Sequence, residues 1–155
     1  MGDVDKTSDL LVLIQRLADE RPLFFERKGQ GSGNRDTNDF VAELRKRATA
    51  KFGEDYSEQK ICGDSNHAVD YYFEDEATIV EVALSLWTPN SEFEKDILKA
   101  LMAQAHYPVN RLILIGKQGS CAKCAMPGRV SIINWAKQMH DLKIDVYDIE
   151  NNHGS

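Results

Sequence analysis

The chain has 155 residues, 42% of them hydrophobic and 28% charged, which is the composition of one globular domain and argues against a disordered chain. Nineteen basic against 25 acidic residues leave a net charge of −6, which argues against a broad nucleic-acid coat and leaves phosphate chemistry to a local basic patch or to bound divalent cations. The longest apolar runs, such as Leu112–Ile115, are too short to span a bilayer, and the acidic start at Asp3, Asp5 and Asp9 lacks a basic-then-apolar leader, so a cytoplasmic protein with no membrane partner is expected.

In chain order, apolar residues at Leu10, Ile14, Leu17 and Ala18 predict a first helix, capped by Thr7 or Ser8 and ended by Arg21–Pro22. The glycine-rich, charged segment Glu26–Asp36 reads as an exposed, mobile loop. A second helix is predicted from about Thr37, with Phe40, Val41, Leu44, Ala48 and Phe52 on one stripe and Gly53 as its stop. Its other face carries Arg45, Lys46, Arg47 and Lys51.

Three strands are then predicted at Glu58–Gly63, Ala68–Phe73 and Thr78–Leu86, broken by Gly63-Asp64-Ser65-Asn66 and by Glu74-Asp75-Glu76. They lie too close in sequence for parallel crossovers and must be antiparallel neighbours. Ser91 and Glu94 form a Ser-x-x-Glu capping box for a third helix with an apolar stripe at Ile97, Leu98, Leu101, Met102 and Ala105. The continuous apolar run Arg111–Gly116 predicts a central strand buried on both faces. A loop through Gly116, Gly119, Cys121, Cys124 and Pro127 leads to a fourth helix with Ile132, Ile133, Ala136 and Met139, and Ile144–Ile149 closes the sheet. The expected fold is a single α/β domain with helices on both faces of a mixed β-sheet.

The third strand carries the sharpest chemical signal. Alternation puts Val80, Val82, Leu84 and Leu86 on one face and Ile79, Glu81, Ala83 and Ser85 on the other, so Glu81 is an acid in an otherwise apolar strand. If the turn before it spans four residues, Glu74–Ala77, then Asp70 on the second strand lies directly opposite Glu81; a three-residue turn would put it opposite Val80. Two adjacent carboxylates repel unless a proton or a cation sits between them, and oxygen-only ligands suit magnesium or manganese. The competing account is a solvent-facing Asp70 and a Glu81 paired with a lysine or arginine.

An α–β–β–β–α–β order, with Asp70 on the second strand and Glu81 on the third, resembles the PD-(D/E)xK, restriction-endonuclease-like phosphodiesterases. The resemblance covers residues 36–116, with residues 1–35 as an added N-terminal helix and loop and residues 117–150 as a C-terminal helix–strand extension. It implies that Asp70 and Glu81 bind Mg2+ or Mn2+, that Glu43 assists from the preceding helix, and that the chain cleaves phosphodiester bonds in DNA. The family's lysine is expected two residues after Glu81, where this chain has Ala83; Lys95 or Lys60 would have to supply the cation from a neighbouring element. Lys95 and Lys99 also read as a solvated pair on a helix flank, and Glu43 as the i,i+4 partner of Arg47. A homodimer or a protein partner is compatible with this family, as is a binding or regulatory module that has lost catalysis together with its lysine.

Cys121-Ala-Lys-Cys124 admits a thiol-redox pair, half a zinc site, or two thiols without chemistry. Zinc is disfavoured because the remaining candidates, Cys62, His67, His106, His140 and His153, show no paired spacing. Lys117, Lys123 and Arg129 gather near a helix start as a weak anion site or as ordinary surface charge. Arg45-Lys46-Arg47 could touch a DNA backbone or simply be a solvated face, and Trp87 and Trp135 are read as packing residues.

Overall fold

Residues 5–21, 34–84, 86 and 91–152 are described by the computed structural model, in which the chain divides into two compact units, Met1–Asp55 with Ile149–Ser155, and Tyr56–Asp148. The first unit holds α1 (Lys6–Asp19) and α2 (Asn34–Phe52). Asp5 caps α1, its carboxylate accepting from the Ser8 N–H at 3.1 Å and from the Ser8 Oγ at 2.9 Å. The expected caps Thr7 and Ser8 fall inside the helix, because a capping oxygen must precede the N–H groups it satisfies. Leu10, Ile14, Leu17 and Ala18 are buried, as their spacing predicts. The helix ends at Asp19, short of Arg21, and Pro22 lies outside the described residues.

The predicted loop Glu26–Asp36 also lies outside the described residues up to residue 33; from Asn34 the backbone is already helical, ahead of the expected start at Thr37. Phe40, Leu44 and Ala48 form the buried stripe of α2, and Gly53, at φ 76°, stops it with its N–H donating to Thr49 O at 2.9 Å. Arg47 bridges Glu20 at 2.7 Å and Glu43 at 2.9 Å.

The five-stranded sheet has the order β1-β2-β3-β4-β5, with β1 at Ser57–Gln59, β2 at Val69–Phe73, β3 at Thr78–Val82, β4 at Arg111–Lys117 and β5 at Lys143–Ile149. The β1–β2 and β2–β3 pairs are antiparallel, as the short connections require, and β3–β4 is parallel, reached through α3 (Glu92–Gln104). The Lys143 N–H donates to Asn110 O beside the start of β4, while the Gly119 N–H beyond its end donates to Asp148, so β5 runs with β4. The sheet is therefore mixed, and the chain is α/β.

Two strands are shorter than their apolar content suggests. β1 stops at Gln59, leaving Ile61 and Cys62 buried in irregular chain, and β3 stops at Val82, after which the Leu86 N–H donates to Ala83 O at 3.1 Å in a turn. Leu84 and Leu86 are buried without continuing the Val80 face. Arg111–Lys117 is the expected central strand, buried from Leu112 to Gly116. A Cβ on Gly116 would collide with Ser120 Oγ and Ala83 O, so glycine is what admits this contact.

One sheet face, with Ile79, Ala83, Leu112 and Leu114, packs with Phe93, Ile97, Ala100 and Ala103 of α3 and Ala136 of α5 (Pro127–His140). The predicted loop before α5 contains a further short helix, α4 (Ser120–Cys124). Trp135 is 46% exposed and set edge-on to His140, and Met139 is 67% exposed, so neither is a core residue. Trp87 lies outside the described residues. Among those described, no helix is long and apolar enough to cross a membrane.

Candidate active site

The connection between β2 and β3 is a 3-10 turn at Glu74–Glu76 followed by Ala77 in the left-handed region, whose N–H donates to Glu74 O at 3.0 Å. This is the four-residue turn on which the carboxylate pairing depends. The register runs Phe73↔Thr78, Tyr72↔Ile79, Tyr71↔Val80, and one step further it puts Asp70 beside Glu81. The two side chains are built into the strands: the Asp70 N–H donates to Glu81 Oε1 at 3.0 Å, and the Val82 N–H donates to Asp70 Oδ2 at 2.7 Å. Across β1, Glu58 stands opposite Asp70 with a left-handed φ of 52°.

The cation on this pair comes from α3, and it is neither Lys95 nor Lys60. Lys99 Nζ lies 2.9 Å from Glu81 Oε2, 3.5 Å from Asp96 Oδ1 and 2.9 Å from Ala68 O, to which it donates. It is 8% exposed, so the reading of Lys95 and Lys99 as a solvated pair fails for Lys99. Lys95, one turn earlier, is exposed at the edge of the same cleft, and Lys60 is exposed just past β1. The cause is the orientation of α3. Its buried face is Phe93, Asp96, Ile97, Lys99, Ala100 and Ala103, whereas Leu98 of the predicted stripe is 54% exposed and Ala105 is exposed. Ser91 occupies the N-cap position without a side-chain hydrogen bond, so the predicted capping box does not form. Asp96 and Lys99 are the functional candidates that pattern reasoning missed.

Asp70, Glu81, Val82, Ser91, Glu92, Lys95, Asp96 and Lys99 line a cleft of about 420 Å³. Burial raises the Glu81 pKa well above the ordinary range, and the charges of Asp70 and Asp96 add to it. Burial likewise raises Asp70, against the Val82 N–H that favours its carboxylate, and pushes Asp96 up to about 7. Burial opposes the charge on Lys99, but Glu81, Asp96 and Asp70 outweigh it and hold the ammonium above its ordinary pKa.

The pair has a donor set for a hard divalent cation. Glu81 Oε2 is buried and faces the Lys99 ammonium as an ion pair at 2.9 Å. Among the described residues no three His, Cys, Asp or Glu side chains are arranged to hold a metal. Magnesium, which keeps several waters and takes one or two carboxylates, fits two acids opening on a cleft. Glu43 belongs to α2 in the other unit, where Arg47 pairs with it and holds its carboxyl below the usual range.

Cys121 is exposed, donates to Val146 O at 3.2 Å, and is pushed up to about 11 by partial burial and by Asp148; burial also raises Cys124. The start of α4 is filled from within, since Asp148 accepts from the Gly119 N–H at 3.1 Å and the Cys121 N–H at 2.8 Å. Arg129 is no ordinary surface charge: it donates to Leu86 O at 2.8 Å and lies 4.8 Å over the Phe93 ring. No family model, curated protein or solved structure matches this chain.

Proposed function

We propose that this chain is a metal-dependent phosphodiesterase of restriction-endonuclease-like type that cleaves DNA, with Asp70 and Glu81 as metal ligands and Lys99 as the cation of the reaction centre. The observation that carries the proposal is the Lys99 ammonium 2.9 Å from Glu81, which fills from α3 the role left open at Ala83. Ala83 itself is fully buried in the core cluster with Ile79 and Leu114, so a lysine there would be placed in hydrocarbon. The order α2, β1, β2, β3, α3, β4 and the mixed sheet support the same assignment. The DNA substrate comes from the resemblance alone.

Asp70 and Glu81 would hold Mg2+ or Mn2+, which when bound supplies Lewis acidity toward a phosphoryl oxygen and lowers the pKa of water. Lys99 keeps one donor on Ala68 O and has others with which to orient a water or neutralise charge on the phosphoryl group. Lys95, exposed at the edge of the cleft, would meet a backbone phosphate. With a net charge of −6, phosphate recognition has to be local to this cleft.

The test is cleavage of supercoiled and single-stranded DNA with Mg2+ and Mn2+ by the wild type and by Asp70→Asn, Glu81→Gln and Lys99→Met. Each substitution is expected to reduce cleavage by at least about a hundredfold in a folded protein. Metal binding without cleavage would instead assign the chain to the binding-module class. Absence of both would make the acids and Lys99 a structural ion cluster.

A further inference from the structure

Lys99 is shared. Its ammonium lies 2.9 Å from Glu81 Oε2, on the sheet, and 3.5 Å from Asp96 Oδ1, one helical turn back on its own helix. A divalent cation bound by Asp70 and Glu81 would compete with the ammonium for the same oxygen, and two cations on one buried carboxylate repel strongly. Lys99 is 8% exposed, so it cannot simply swing into water when displaced; it needs another anion within reach. Asp96 is 5% exposed, lies outside the proposed ligand pair, and is already within ion-pairing distance.

We propose that Asp96 is a positioning residue: when a divalent cation takes Glu81, Asp96 draws the Lys99 ammonium off Glu81 Oε2 and holds it in the cleft. The inference rests on the reading of Asp70 and Glu81 as a metal site. Without Asp96, the acids left beside the ammonium among the described residues are Glu81 and Asp70, the proposed metal ligands themselves, so it stays on the carboxylate and opposes the metal. Asp96 therefore serves two purposes, easing metal entry and keeping the lysine beside the reacting atoms.

The test is a double-substitution cycle read by Mn2+ affinity, using calorimetry on the wild type, Asp96→Asn, Lys99→Met and the double variant, with circular dichroism to establish folding. Removing the Asp96 charge weakens Mn2+ binding through space in any background. If Asp96 acts through Lys99, its loss weakens binding at least about threefold more when Lys99 is present than when it is methionine. Equal losses in the two backgrounds overturn the proposal. Should the methionine variants not fold, Lys99→Gln replaces Lys99→Met in the same cycle, and equal losses in the two backgrounds again overturn the proposal. No Mn2+ binding by the wild type removes the metal site itself and this inference with it, an outcome distinct from binding with equal losses.

Discussion

Raising the pH from about 5 to about 8 without divalent ions is expected to destabilise the folded chain, and Asp96→Asn is expected to remove much of that slope. Burial pushes the Asp96 carboxyl from 3.8 to about 7, so between these values the folded protein keeps a proton that the unfolded chain has released. Stability then falls as pH rises through the window. At about 1.4 kcal/mol per pH unit the full window corresponds to about 4 kcal/mol, a ceiling because Asp96 titrates together with Glu81 and Lys99; about 3 kcal/mol of it falls above pH 5. Glu81 and Asp70, both raised first by burial, add slope of the same sign.

Lys99 and the carboxyls paired with arginine or lysine act outside this window. Lys99 is held above 10.5, so its contribution is lost only as pH rises through that higher value. Glu20 and Glu43, held down by Arg47, and Asp141, held down by Lys137, contribute stability that is lost only as pH falls through values below their ordinary range. Urea unfolding followed by tryptophan fluorescence, at about one pH unit intervals, measures the slope directly. A wild type equally stable at both ends, or an asparagine variant with the wild-type slope, refutes the assignment of Asp96 as a buried proton-holding acid.

At about pH 8 added Mn2+ is expected to raise the wild-type Tm and leave Glu81→Gln unchanged in a thermal melt, since a glutamine amide offers the cation no carboxylate charge. Arg129→Met should cost about 2 kcal/mol in urea unfolding by removing the Leu86 carbonyl bond and the contact with the Phe93 ring. Cys121, pushed up to about 11, should react with iodoacetamide more slowly than free cysteine at neutral pH despite its exposure; faster alkylation would revive the redox alternative.

The sheet was largely legible because its evidence is short-range. Val69–Phe73, the acidic turn and Thr78–Val82 follow one another too closely for anything but an antiparallel pair, and Arg111–Gly116 is apolar on both faces. Strand ends were not legible, because Ile61, Cys62, Leu84 and Leu86 are apolar for burial in irregular chain, and periodicity does not separate that from a strand. The carboxylate pair was legible through a count of turn residues, since one residue fewer would have put Val80 opposite Asp70.

Lys99 is hidden in the sequence because lysine ordinarily lies on the solvated side of a helix, and the apolar stripe that excludes it runs through Leu98 and Ala105, which are exposed. The signal lay in charge balance. Two acids inside a sheet require a proton or a cation, and of the lysines on α3 the choice is set by which face carries the small residues. Phe93, Ile97, Ala100 and Ala103 repeat at helical spacing, and alanines at two successive turns permit the helix to sit close to the strands. Lys99 borders that stripe and has an acid three residues before it; Lys95 is exposed at the edge of the cleft. A buried lysine of this kind keeps its aliphatic stem in the core and its ammonium on carboxylates, which makes it part of the hydrophobic face that conceals it. If the acids alone decided its place, neutralising both with Asp70→Asn and Glu81→Gln should release Lys99 toward Asp96 without unfolding the chain, and its side-chain resonance should then titrate with Asp96. Resonances unchanged by the double substitution would mean that helix packing, and no demand for charge, holds the lysine there.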